Sequence, residues 1–266
     1  MYSAPAPGAW NMALDEAIFE ATLTSASPPT LRLYAWEPAC LSLGYAQPFA
    51  DIDLPALEQH GWELVRRPTG GRAILHTDEL TYSVSGLQDE PRLAGNILES
   101  YQVLAQALLK ALQRLHIPAQ AHARPTPAAG SDPKGPVCFE VPSNYEITVE
   151  GKKLIGSAQA RRKGGVLQHG SLPLYGDLTR ITRALAFTDE ATRQSAGQRL
   201  LQRATTAEAV LGEILPWEVA ARAFESAFAE TLNLSLIPGD PSPEELAHAR
   251  QLVAEKYAHP SWNERM

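Results

Sequence analysis

Cysteine is scarce: Cys40 and Cys138 are the two thiols in 266 residues and lie far apart. Two are too few for a disulfide framework, and neither sits in a CxxC or zinc-ligand spacing, so both read as free thiols and no metal centre is expected. Long hydrophobic runs are missing, with nothing near the roughly eighteen apolar residues of a membrane span. The start, Met-Tyr-Ser-Ala-Pro-Ala-Pro-Gly, lacks the basic and apolar segments of a secretory signal. These absences predict a cytoplasmic protein with no membrane partner. Positive charge is in deficit, 23 Lys and Arg against 30 Asp and Glu for a net charge of -7. Nucleic acid is therefore excluded as the main partner, because duplex binding rests on a basic face. An acidic protein partner needs a local basic patch, and Arg66, Arg67 and Arg72, with Arg161, Arg162 and Lys163, are the candidates for one. Neither GxGxxG nor a GKS/T P-loop occurs, so the usual nucleotide folds gain no support.

What is there is a globular composition, 44% hydrophobic and 20% charged. Met12, Leu14, Ala17 and Ile18 fall at helical spacing between residues 9 and 21, with Asp15 and Glu16 on the remaining face. Short strands are expected at 30–36, 41–45, 62–66 and 73–75. Leu80, Tyr82 and Val84 alternate with Thr81, Ser83 and Ser85, which places an apolar and a polar row on opposite faces of a sheet. A helix follows over 94–116, with a core stripe of Ile97, Tyr101, Leu104, Leu108, Leu112 and Leu115. Pro, Ala, Gly and Ser then dominate 118–136, which reads as a mobile loop ending just before Cys138. Glu150-Gly151 marks a hairpin between strands at 144–149 and 152–160, and 166–174 is a further strand. From about residue 176 the chain is expected to be helical, at 178–186, 207–214, 217–232 and 243–257. With no internal repeat and no sharp boundary, residues 1–266 read as one α/β (α+β) domain: a mixed, largely antiparallel sheet flanked by helices.

Three segments carry chemistry. In Arg66-Arg67-Pro68-Thr69-Gly70-Gly71-Arg72-Ala73-Ile74-Leu75-His76, paired glycines let the backbone approach a ligand, and the flanking arginines offer charge-assisted donors. In Cys138-Phe139-Glu140 the thiol follows the loop, and Lys153 lies on the strand after it. A cation beside a thiol favours the thiolate and polarises a carbonyl under attack, which is what acyl transfer needs. Cys40, in an apolar strand, reads as a buried inert thiol. The third segment joins Gly156-Ser157-Ala158-Gln159 to Gln168-His169-Gly170-Ser171. His169 is a candidate base for Cys138, or a hydrogen-bonded structural residue.

These strings, with Gly-Lys-Lys-Leu-Ile-Gly-Ser-Ala-Gln and Leu-Gln-His-Gly-Ser intact, resemble the lipoate-protein ligase A and octanoyltransferase superfamily, whose catalytic domain is related to biotin protein ligase. The resemblance spans nearly the whole chain, from Asn11-Met12-Ala13-Leu14-Asp15 to Trp262-Asn263. The Gly-Arg-Gly-Arg string of biotin ligases is absent. Cys138 before Tyr145-Glu146 resembles the cysteine-dependent octanoyltransferases, whereas lipoate ligases use ATP and need no cysteine. The resemblance implies transfer of octanoate from acyl-carrier protein, through Cys138, to a lysine of a lipoyl-domain protein such as the glycine-cleavage H protein. No metal or nucleotide cofactor is then needed. It also implies that Lys153 lies against the thioester carbonyl, that Gly70 and Gly71 line an acyl tunnel with Arg72 at its rim, and that Tyr82, Gly156, Ser157 and Ala158 shape the cavity. Arg67, Thr69, His76, His169 and Gly170 complete the expected binding set. After His76 comes Thr77-Asp78, where ligases place Asp directly, which favours the transferase. An ATP-dependent lipoate or octanoate ligase, an amidotransferase between lipoyl proteins, and a non-catalytic acyl-binding protein are the alternatives.

Overall fold

The computed structural model describes residues 1–123 and 145–265. Cys138 and most of the expected loop fall outside them. Helix α1 (Gly8–Leu23) is followed by strands β1 (Thr30–Tyr34) and β2 (Cys40–Leu43), helix α2 (Leu54–His60), and strands β3 (Glu63–Arg66), β4 (Ile74–His76) and β5 (Glu79–Leu87). Helix α3 (Ile97–Arg114) leads to β6 (Gln120–Ala123), and the chain continues through β7 (Tyr145–Val149), β8 (Lys152–Arg162) and β9 (Gly165–Pro173). A 3-10 segment (Leu178–Ala184) precedes α4 (Glu190–Arg203), α5 (Ala207–Leu211), α6 (Trp217–Thr231), α7 (Pro243–Leu252) and α8 (Pro260–Asn263).

Among the described residues the strands form two sheets. One is fully antiparallel in the order β1-β5-β9-β8-β7-β6; the other, β3-β2-β4, pairs β2 with β3 in parallel and with β4 antiparallel. The expected mixed, largely antiparallel α+β architecture is the one observed. Glu150 (φ 50°) and Gly151 (φ 78°) make the β7–β8 turn, the left-handed pair that matches strand twist in a tight hairpin. Asn96 and Glu99 close a reciprocal capping box on α3, and Ser242 and Glu245 do the same for α7.

The large sheet buries both faces, for different reasons. On one, Leu33, Leu80 and Tyr82 pack with Leu104, Leu108 and Leu112 of α3 and Phe224 and Phe228 of α6. Each such side chain contributes about 1.5–3 kcal/mol of burial. The opposite face carries Arg32, Thr81, Ser83, His169 and Ser171, all buried, and α1 lies against it. The polar row expected on β5 is thus an interior row.

Several expectations change. Asp15 and Glu16 do not face solvent: they are 1% and 3% exposed, because α1 is buried on nearly every side, Asp15 against Arg32 and Ser83 of the polar sheet face and Glu16 against Lys256, Tyr257 and Arg162. Helix α3 begins at Ile97 rather than 94, and Ile97 is 54% exposed instead of in the core stripe. Gln120–Ala123, within the expected loop, is a strand paired with β7. Residues 178–184 form a 3-10 rather than an α-helix. Helix α4 was not expected: it buries only Ala196, Gly197 and Leu200, so it has no apolar stripe to read, and it is started by the Asp189 side chain accepting from Thr192 N. No helix among the described residues is long and apolar enough to cross a membrane.

Candidate active site

A slot of about 20 Å³, room for about one water molecule, lies between α1 and the polar sheet face. Gly156, Ser157 and Ala158 of β8, and His169, Gly170 and Ser171 of β9, form one wall; Met12, Trp36, Arg67, Ile74 and His76 form the other. The structure therefore brings Arg67, His76, Gly156, Ser157, Ala158, His169 and Gly170 together, from segments up to a hundred residues apart.

Two buried carboxylates, neither of them anticipated, hold the two histidines. His76 Nδ1 is 2.6 Å from Glu79 Oε1, which also accepts from Thr81 Oγ1 at 2.6 Å and Ser171 Oγ at 2.7 Å. With Nδ1–H donating to Glu79, His76 Nε2 accepts from Ser42 Oγ at 2.7 Å, and the ring stacks on Trp36 with centroids 3.9 Å apart. Burial alone would raise the Glu79 carboxyl, but His76 and the hydroxyl donors hold it below the usual range. Asp15 accepts from Arg32 Nη1, Tyr34 OH and Ser83 Oγ, each at 2.8 Å, and lies 3.6 Å from His169 Nδ1. Burial opposes its charge too, yet Arg32 and His169 keep it ionised. His169 Nε2 then meets Thr69 Oγ1 at 2.6 Å, and burial lowers the imidazole pKa despite Asp15, so it is neutral. His169 is therefore bonded through Nε2 to Thr69, with Nδ1 beside the Asp15 carboxylate, and ties β9 to the residue before the Gly-Gly turn. The hint in the sequence was Asn11 and Asp15 at i and i+4; Arg32 Nη2 donates to Asn11 Oδ1 at 2.7 Å.

Arg66 and Arg67 are 0% and 3% exposed, so they cannot dock a partner. Their charge is spent on backbone carbonyls. Arg67 donates to Ser42 O, Gly70 O and Arg72 O, which shapes the turn; Arg66 donates to Gly44 O and Gln47 O, and to Asn263 O and Arg265 O in the C-terminal segment. Arg161 likewise donates to Leu93 O, Gly95 O and Ser100 Oγ. Gly70, Gly71 and Arg72 do not line the inner cavity. They border a surface cleft with Tyr45, Gln159, Arg161, Arg162 and Trp262.

Gly71 has φ 93°, and its carbonyl lies where a Cβ on Gly44 would fall, at 1.9 Å. Gly44→Ala is expected to cost about 1–3 kcal/mol by overpacking. Gly70→Ala, with nothing within 4 Å of its Cβ, should be nearly neutral. Chemical unfolding of the two variants checks this; equal stabilities would mean the close approach is not structural.

Tyr82 lies on the other sheet face. Its ring packs near Phe224 and Phe228, and its hydroxyl meets Ser157 Oγ at 2.7 Å and accepts from Gln168 Nε2 at 2.9 Å. Burial pushes its phenol up to about 12. It supports the cavity wall from behind and leaves no room for a side chain at Gly170, whose Cβ would fall 2.8 Å from the ring. Lys153 is 5% exposed, with Nζ 3.5 Å from Glu146 Oε1, and it sits on β8 three residues before Gly156. Its backbone bridges to Ala204 at the end of α4. Cys40 is fully buried, and burial pushes its thiol well up, as an inert thiol requires. Among the described residues no cluster of His, Cys, Asp or Glu is placed to hold a metal ion.

The chain belongs to the lipoyl protein ligase A/B catalytic domain family, whose model matches residues 7–229. It is 40% identical to octanoyltransferase LipM of Lysinibacillus sphaericus over 96% of this chain and 94% of that one. It is 39% identical to octanoyltransferase LipM of Kyrpidia tusciae over 100% and 97%. Among solved structures it superposes on a bi-partite lipoate protein ligase from Thermoplasma acidophilum with a TM-score of 0.80, 25% identity, and coverage of 99% and 94%. A lipoate-protein ligase A solved with ATP shares the fold at a TM-score of 0.79 and 24% identity, covering 99% of this chain and 97% of that one.

Proposed function

We propose that this enzyme transfers an octanoyl group from the thioester of acyl-carrier protein, through Cys138, to a specific lysine of a lipoyl-domain protein such as the glycine-cleavage H protein. The reading rests on near-full-length similarity to octanoyltransferases, and it gives each placed residue a task. The Cys138 thiolate attacks the thioester carbonyl and the carrier's thiolate departs. The acceptor lysine amine then attacks the acyl-enzyme, forms the amide and expels the Cys138 sulfur, which takes up the proton lost by the amine. One thioester becomes another and then an amide, so neither step calls for ATP. The Lys153 ammonium, buried beside Glu146 on the strand that also carries Gly156 and Ala158 of the slot, stabilises the oxyanion in both steps, a contribution of order 10²–10³ in rate for a well-placed donor. The acyl chain is assigned to the slot lined by Gly156, Ala158 and Gly170, which has to widen from room for about one water molecule to admit it.

The experiment is intact-protein mass spectrometry after mixing with octanoyl-acyl-carrier protein in the absence of ATP. The expected result is an octanoyl adduct that apo H protein discharges. Acceptor modification that appears only with ATP and free octanoate or lipoate would instead make the enzyme a ligase. An adduct formed from an octanoylated lipoyl protein, but not from the carrier, would make it an amidotransferase.

A further inference from the structure

We propose that the surface cleft between the Gly70-Gly71 turn and Trp262 binds the phosphate of the donor's phosphopantetheine arm, with Arg265 as a ligand from the C-terminal segment. The inference rests on the octanoyl-transfer reading and adds to it how the donor is recognised.

Charge is the first observation. In a chain of net charge -7, the described residues lining this cleft include Arg72, Arg161 and Arg162 and not one Asp or Glu; Arg162 is paired with Glu16, which leaves Arg72 and Arg161 as the cleft's positive charge. Arg161 is satisfied by carbonyls and hydroxyls, which leave its charge uncancelled. The cleft is thus a local positive well on an acidic protein, the condition for steering and holding an anion.

The second observation is how the C-terminal segment is built. Arg265 lies flat over two rings, its guanidinium carbon 4.1 Å from the Tyr45 centroid and 3.8 Å from that of Trp262. Its Nη2 donates to Tyr45 O at 3.2 Å, but its buried Nε has no hydrogen-bond partner. The two rings beneath it, Tyr45 and Trp262, both line the cleft, so its guanidinium charge sits at the cleft's edge. Planar guanidinium is suited to a phosphate because it offers two parallel donors. The segment is fixed from beneath: Arg66 holds the carbonyls of Asn263 and Arg265, Asn263 Oδ1 accepts from Arg66 N at 2.8 Å, and Trp262 Nε1 donates to Arg66 O at 2.7 Å. The same buried arginine also bonds Gly44 O, the residue that touches Gly71, so the turn and the tail are set by one side chain.

Position supplies the third. Thr69, one residue before the exposed Gly70, is bonded to His169 in the wall of the inner slot, and Ala160 of the cleft lies two residues along β8 from Ala158 of the slot. A donor whose phosphate rests in the cleft therefore lies against the strand that carries Lys153 and the acyl slot.

The test compares wild type and Arg265→Gln with octanoyl-pantetheine, octanoyl-4′-phosphopantetheine and octanoyl-acyl-carrier protein, following kcat/KM for acylation and, separately, discharge to apo H protein. Wild type should prefer the phosphorylated arm to the unphosphorylated one. Arg265→Gln should lose tenfold or more on both phosphorylated donors, through KM and less so at high salt, and nothing on octanoyl-pantetheine. Arg265→Lys should recover part of the loss. Equal loss on all three donors, no wild-type preference for the phosphate, or a loss confined to discharge would overturn the assignment. Wild type that takes octanoate from none of the three would instead remove the octanoyl-transfer reading, and this inference with it.

Discussion

Cys138→Ser is expected to form no octanoyl adduct and to transfer nothing, while Cys40→Ala keeps both activities. A serine hydroxyl at neutral pH is un-ionised and a far weaker nucleophile than a thiolate, and nothing in the chain replaces the sulfur as a thioester carrier. Cys40 has the opposite setting. It is wholly buried on β2, its Sγ faces Gly8 so closely that a Cβ there would fall 2.2 Å away, and burial holds the proton on. Truncating it removes packing and leaves the chemistry alone. Intact mass after incubation with octanoyl-acyl-carrier protein checks both variants, with circular dichroism to show that each is folded. An adduct that survives Cys138→Ser and vanishes in Cys40→Ala would exchange the roles of the two thiols and end the mechanism.

The sequence showed the strands well because their cues are local. The Glu150-Gly151 turn and the alternation on β5 each lie within a few residues, and both appear in the structure. Helix α4 was hidden because it binds the fold through three small or apolar residues, with no periodic stripe. In the candidate site, short strings named Arg67, Thr69, His76 and His169, but their partners come from elsewhere: Asp15 on α1, Glu79 on β5 and Ser42 on β2. Spacing on α1 placed Asp15 opposite the apolar stripe, and spacing cannot tell a solvent face from a polar sheet face buried beneath a helix. The same limit applies to Arg66 and Arg67. An arginine pair beside glycines reads as an exposed basic patch until the carbonyls that surround it are known.

Asp15→Ala is expected to be the most destabilising single change in this framework, at about 3–5 kcal/mol, the range for removing one partner of a buried ion pair. Arg32 would remain, 1% exposed, with its Nη1 losing the carboxylate; Tyr34, Ser83 and His169 would lose their shared acceptor as well. Replacing the pair by Asp15→Leu with Arg32→Met should recover much of the loss, because the penalty comes from an uncompensated charge more than from the missing attraction. The pH dependence has a definite sign. Asp15 is held below its ordinary pKa, so its contribution is present above the unfolded value of about 3.9 and is lost as pH falls through the folded one. His169 is also held low, so below about pH 6.5 the unfolded chain takes up a proton that the folded chain refuses, and stability again falls with acid. Both groups therefore weaken the fold on acidification, His169 first. Urea unfolding of wild type and His169→Gln from pH 8 to pH 5 should show a decline in wild type that is shallower in the variant. Parallel curves would mean that His169 is not held neutral by its burial between Asp15 and Thr69.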